Sequence, residues 1–233
     1  MLRSRLLMRP CWVRLRRFHE LPAMEKRAAA GQRVPLADVT EALAPRCTAA
    51  AQNPSQAGPA DEWLAAGQSA LRLVEYSGEP IDGRLGWALH TVLLRGGATQ
   101  ESVHLLAKAV STGALDERAV RSITTSSLKQ LLAARSGDAQ EVAATAREDG
   151  HWDLLRALQD HGLACQRHHT QVLHACESRE EVHRVLRGMK LCKIVSTFLP
   201  TRTSDFNTTS HVLADLLCPR LRTVCFTRRC TPC

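Results

Sequence analysis

The stretch Thr99-Gln-Glu-Ser-Val-His-Leu-Leu-Ala-Lys-Ala-Val-Ser-Thr-Gly113 decides how the chain is read. Val103, Leu106, Ala107 and Val110 fall at i, i+3, i+4 and i+7, which lines one face of a helix. Thr99 and Ser102 lie where an N-cap belongs, and Gly113 lies where a left-handed residue would end the helix. The same spacing recurs on both sides. Upstream it runs through Trp63, Gly67, Ala70, Leu71 and Val74, then Leu85, Ala88, Leu89 and Val92. Downstream it runs through Val120, Ile123, Ser127 and Leu131, then Ala139, Val142, Ala143 and Ala146, then Leu154, Leu155 and Leu158. Val172, Leu173 and Cys176 precede the last stripe, Val182, Val185, Leu186 and Met189. Breakers stand between the stripes at Gly96-Gly97, Gly113, Ser136-Gly137, Gly150 and Gly162.

Composition agrees with the pattern. Aromatic residues are 4% of the 233 and apolar residues 44%, so a core is built from Leu, Ala and Val, a mixture that favours helices over strands. No apolar run reaches the length of a membrane span. The fold expected is all-α.

Three helix ends look alike: Leu71-Arg-Leu-Val-Glu-Tyr-Ser-Gly78, Leu105-Leu-Ala-Lys-Ala-Val-Ser-Thr-Gly113 and Leu154-Leu-Arg-Ala-Leu-Gln-Asp-His-Gly162. Gly78 and Gly113 are 35 residues apart; Gly113 and Gly162 are 49 apart, the same period with 14 residues inserted in the helix over 116–134. A period near 35 with two helices per unit is the signature of a short α-solenoid of antiparallel helix hairpins with flexible termini. Other α-solenoids or an α-bundle are the alternatives.

These residues carry a resemblance. The segment 162–189, with Glu180-Glu-Val-His-Arg-Val-Leu-Arg-Gly-Met189 as its second half, resembles a pentatricopeptide (PPR) repeat, whose second helix commonly starts Glu-Glu-Ala and ends in Met. Gly78-Glu-Pro-Ile-Asp82 is similar to the Gly-x-x-Pro-Asp link between such repeats, with Pro and its neighbour exchanged. The resemblance covers 78–191 and is degenerate, the second unit being too long and the third having a shortened turn. It implies that the first helix of each unit faces single-stranded RNA. The base-facing position it implies falls on Trp87, Ser122 and Gln171, with Arg84, Arg121, Arg167 and His168 near enough to meet phosphates. The family's usual Asn, Thr or Ser occurs there only once, at Ser122. Within 162–176 there is no acidic side chain, which makes this the foremost candidate strip for RNA contact.

The net charge of +8 belongs to the ends. Residues 1–17 carry six arginines and no acid, 193–233 carry six basic and two acidic residues, and 18–192 is left with 19 basic against 21 acidic, a net of −2. A global phosphate trap is therefore not expected of the body.

The start, Met1-Leu-Arg-Ser-Arg-Leu-Leu-Met-Arg-Pro-Cys-Trp-Val-Arg-Leu-Arg-Arg17, reads as a mitochondrial presequence over 1–18, with Arg16-Arg17-Phe18 as a processing site and the matrix as destination. A basic arm kept on the mature chain is the alternative. Residues 19–60 are expected to hold a short helix at 36–43 and a Pro/Gly/Ser-rich linker over 44–60; the repeat domain follows at 61–191. The end, 192–233, is basic and rich in Thr and Cys, and reads as a largely disordered tail, or as sequence from a shifted frame or unspliced intron. Its Cys230 and Cys233 are spaced like a metal pair, with His211, Cys218 and Cys225 as further ligands, but a second close pair is missing. No metal or other cofactor is expected.

Catalysis is not expected either. The chain has no Gly-x-Ser-x-Gly, no phosphate-cradling Gly loop and no His-Glu-x-x-His. His168 and His169 are adjacent, so on a helix they point about 100° apart and cannot share a metal from one face. Cys165 and Cys176 are expected to fill the core. The resemblance implies a non-catalytic protein of mitochondrial RNA metabolism that binds single-stranded RNA, partner proteins, or both. A structural or assembly component of the mitochondrial ribosome or an RNA-processing complex is the other reading.

Overall fold

A computed structural model describes residues 17–52, 58–135 and 149–191, and every regular element among them is helical. A 3-10 turn, Arg17–Glu20, leads into α1 (Leu21–Ala29), α2 (Leu36–Gln52), α3 (Ala60–Ser77), α4 (Gly83–Arg95) and α5 (Thr99–Ser111). Then come α6 (Glu117–Arg135), α7 (Gly150–Asp160), α8 (Gln166–Ala175) and α9 (Arg179–Leu191). The chain divides between Val120 and Arg121 into two compact units. No described helix is long and apolar enough to cross a membrane.

The glycines expected to end helices do so. Gly78, Gly113 and Gly162 have φ of 62°, 72° and 69°, a region that costs a residue with a Cβ energy. At Gly113 the N–H bonds Val110 O while Ala114 N–H reaches Ala109 O; Gly162 and Leu163 repeat this against Gln159 and Leu158. These paired bonds are Schellman closures, which satisfy carbonyls the helix end would leave open. The N-terminal expectation for α5 is corrected: Ala98 is the N-cap and makes no side-chain cap, and Ser102 turns inward instead.

In the first unit α4 packs against α2, α3 and α5, and α1 packs against α3. The core gathers Leu21, Leu43, Trp63, Leu73, Leu85 and Leu89, each at most 2% exposed. Burying one such leucine is worth roughly 1.5–3 kcal/mol, which is why the i, i+3, i+4 stripes seen in the sequence become the contact faces.

One expectation is corrected here. The linker over 44–60 does not begin at 44, because α2 runs through Pro45 to Gln52. Its inner face continues past the proline as Cys47 (0% exposed) and Ala50 (2%), so burial outweighs the roughly 3 kcal/mol that an interior proline costs. Residues 53–57 lie outside the described set. Phe18, the last residue of the expected presequence, is a core residue in the full chain, 6% exposed, edge-on to Trp63 with ring centroids 5.1 Å apart. The Arg46 guanidinium lies 4.4 Å over the Phe18 ring and 5.2 Å from the Trp63 ring, and pairs with Glu62. Arg95 covers Trp63 at 5.4 Å and donates to Ala50 O at 2.9 Å, closing the end of α2.

In the second unit α8 packs against α7 and α9. Leu131 of α6 sits where a Cβ on Gly150 of α7 would meet it at 3.5 Å. Leu128, Leu154, Leu158, Val172, Val182 and Val185 are buried. The stripe at 139–146 and the 192–233 tail with its Cys cluster lie outside the described residues.

Candidate nucleic-acid interface

The residues singled out from sequence fall in both units. In the first, Asp82 caps α4 by accepting the Leu85 N–H at 2.6 Å, and Arg84 stands exposed in the first turn that follows. Trp87, one turn on, is half-buried and packed against the core of this unit, so much of its ring is taken up by protein. As a stacking platform for a base it is reduced to what remains exposed.

In the second unit α6 presents Arg121 and Ser122, both exposed, and α8 presents Arg167, exposed, and Gln171, half-buried. Gln171 Oε1 is buried and has no hydrogen-bond partner among the described residues. Both arginines lower the pKa of the same ring, His168.

His168 is corrected. The sequence placed it among the phosphate contacts, but it is 0% exposed and cannot meet a ligand. Its Nε2 lies 3.0 Å from Thr124 Oγ1 and 3.2 Å from Thr125 Oγ1 on α6. Its Nδ1 accepts the Cys165 N–H at 3.1 Å and has Cys165 Sγ at 3.4 Å, part of a reciprocal capping box on α8. An N–H directed at Nδ1 requires that nitrogen to be bare, so the proton sits on Nε2. Burial first, then electrostatic interaction with His169, Arg121 and Arg167, hold the pKa of His168 down to about 4, against a backbone hydrogen bond at Arg121 that raises it.

His169, also 0% exposed, takes the opposite tautomer. Its Nδ1 donates to Cys165 O at 3.0 Å, and its Nε2 accepts from the Gln159 amide of α7 at 3.0 Å. Burial lowers its pKa as well. The adjacent pair thus ties α8 to two different helices, His168 to α6 and His169 to α7. The 100° between their directions, which argued against a shared metal, is what lets them do this.

A parallel tie exists in the first unit. His90 on α4 and Ser102 on α5 are both 0% exposed, with Oγ 2.5 Å from Nδ1, and burial lowers the His90 pKa to about 4. The sequence reading missed this pair because the short polar residue at 102 fits a helix start equally well.

Cys47 is fully buried, its thiol pushed up to about 12 by desolvation, and Cys176 Sγ donates to Val172 O at 3.2 Å. Cys165 is half-buried at the N-cap of α8. Among the described residues no three His, Cys, Asp or Glu side chains gather as a metal site would require. No protein-family model, curated protein or solved structure matches this chain.

Proposed function

We propose that the protein is a non-catalytic component of mitochondrial RNA metabolism, built from stacked PPR-like helix hairpins, that binds single-stranded RNA. The observation that carries this reading is the strip on α6 and α8. Arg121 and Ser122 on α6 and Arg167 on α8 are exposed, and the buried His168 links the two helices. Alternate helices in contact, α2 with α4 in the first unit and α6 with α8 in the second, support a hairpin stack over an up-and-down bundle. The regular Gly78, Gly113 and Gly162 helix ends support a repeat.

In this reading the arginines hold phosphates, Ser122 meets a base edge, and Arg84 with the exposed part of Trp87 supplies a further contact; the Gln171 carbonyl oxygen is buried and is not part of this contact. Matrix localisation rests on the acid-free, Arg-rich start of the chain. The body's net charge of −2 favours a second reading, in which the same surface meets a protein inside a ribosomal or RNA-processing assembly. Binding of a labelled single-stranded oligoribonucleotide, measured against salt, separates them. Each phosphate contact contributes a slope of about −0.7 in log K against log salt, so Arg121→Ala with Arg167→Ala reduces the slope by about 1.4. Absence of RNA binding at low salt favours the assembly role.

A further inference from the structure

We propose that His168 is a positioning residue for the phosphate-facing strip: it touches no RNA, but sets the spacing at which Arg121 and Arg167 meet a phosphodiester backbone. This inference rests on the RNA-binding reading above.

Three observations carry it. The ring is fully buried, so its influence on a ligand passes through the residues it holds. Its Nε2 bonds fix Thr124 and Thr125, which lie one helical turn from Arg121 on the same side of α6. Its Nδ1 fixes the backbone of Cys165, two residues before Arg167, at the point where α8 starts. One imidazole therefore sets both the first turn of α8 and its separation from the Arg121 turn. Arg167 has no carboxylate partner among the described residues, so its charge is available to an anion.

The donor pattern makes this tie conditional. Only the neutral ring with its proton on Nε2 satisfies both sides, because protonation at Nδ1 sets one N–H against another. The groups acting on the ring are Arg121 from α6 and Arg167 and His169 from α8, which oppose a further proton, and a backbone hydrogen bond at Arg121, which favours one; Thr124 and Thr125 are neutral.

The test uses the full chain, a labelled single-stranded oligoribonucleotide of mixed sequence, and amide exchange over 166–173. Thr124→Val with Thr125→Val leaves both arginines and the α8 cap in place but removes the hydroxyls that His168 Nε2 faces. The expected result is faster exchange in α8, an RNA affinity about tenfold lower, and a shallower salt slope. Arg167→Ala then costs less in this background than in the wild type, since a misplaced arginine has less to lose. His168→Gln, whose amide nitrogen reaches toward the threonines, retains most of the affinity. If the double variant does not fold, His168→Asn, which keeps an acceptor for the Cys165 N–H but falls short of α6, carries the same comparison. Faster exchange with unchanged affinity and slope overturns the positioning role alone. A wild-type chain that binds no RNA at low salt overturns the RNA reading, and the positioning role with it.

Discussion

His168 Nε2 lies 3.0 Å from Thr124 Oγ1, with both residues 0% exposed, so a residue on α8 closes a bond to one 44 positions earlier on α6. The bond has no access to water; removing Thr124 leaves Nε2 the Thr125 hydroxyl at 3.2 Å, and removing the ring leaves the Thr124 hydroxyl Arg121 O at 3.3 Å. His168→Ala loses the ring's packing as well as its bonds at both nitrogens, and is expected to destabilise the second unit by about 3 kcal/mol. Thr124→Val, which keeps the volume, is expected to cost about 1–2 kcal/mol. Urea unfolding of the full chain, followed by amide exchange in α8, measures both.

Acid should unfold the protein through its buried histidines. His90 and His168 hold folded pKa values of about 4, below the ordinary 6.5, because burial disfavours the charged ring. Above pH 6.5 both rings are neutral folded or unfolded, and their contribution to stability is fully present. As pH falls from 6.5 to 4 the unfolded chain takes up protons that the folded chain refuses, so stability is lost. At about 1.4 kcal/mol per unit, each ring withdraws about 3 kcal/mol across that window. The urea midpoint should fall steeply below pH 6.5, and His168→Gln should flatten the part of that fall that belongs to the second unit.

Gly188 gives a prediction of unusual sign. Alanine in place of a helical glycine ordinarily stabilises by about 0.5–1 kcal/mol. At Gly188 on α9 an added Cβ would collide with the Gln159 amide nitrogen, the same atom that donates to His169. Gly188→Ala is therefore expected to destabilise, by about 1–2 kcal/mol, and to leave His169 Nε2 without its donor. In the Gln159→Ala background the same substitution should turn neutral or stabilising, which thermal melts of the four-member cycle will show.

Phe18 should behave as a core residue rather than the end of a leader. Its ring edge meets Trp63, and the Arg46 guanidinium lies over its face. Phe18→Ala is expected to cost about 3 kcal/mol in the first unit. N-terminal sequencing of the chain recovered from mitochondria should find Phe18 retained, because cleavage after it would open the side of Trp63.

The helices from α3 onward were legible because each carries four or so apolar residues at helical spacing, and because glycine at a left-handed position leaves a mark in sequence. The helix α1 was not, since Leu21 and Met24 are its only fully buried residues and two positions do not define a period. The second half of α2 was hidden by Pro45, and by a buried face made of small residues, Cys47 and Ala50, that resembles linker composition. The exposed arginines of the strip, Arg121 and Arg167, were legible as charges on helices. The role of His168 was not. Two adjacent histidines look identical in sequence, and only the geometry separates a contact residue from a buried tie.

Crosslinking in intact mitochondria tests the central claim most directly, with denaturing recovery of the tagged chain and mass spectrometry of its RNA and protein adducts. The account predicts that the chain is found there and carries RNA adducts on the exposed residues of α6 and α8, around Arg121, Ser122 and Arg167. A chain found there with protein crosslinks and no RNA adducts would contradict RNA binding, and a chain absent from mitochondria would contradict the account as a whole.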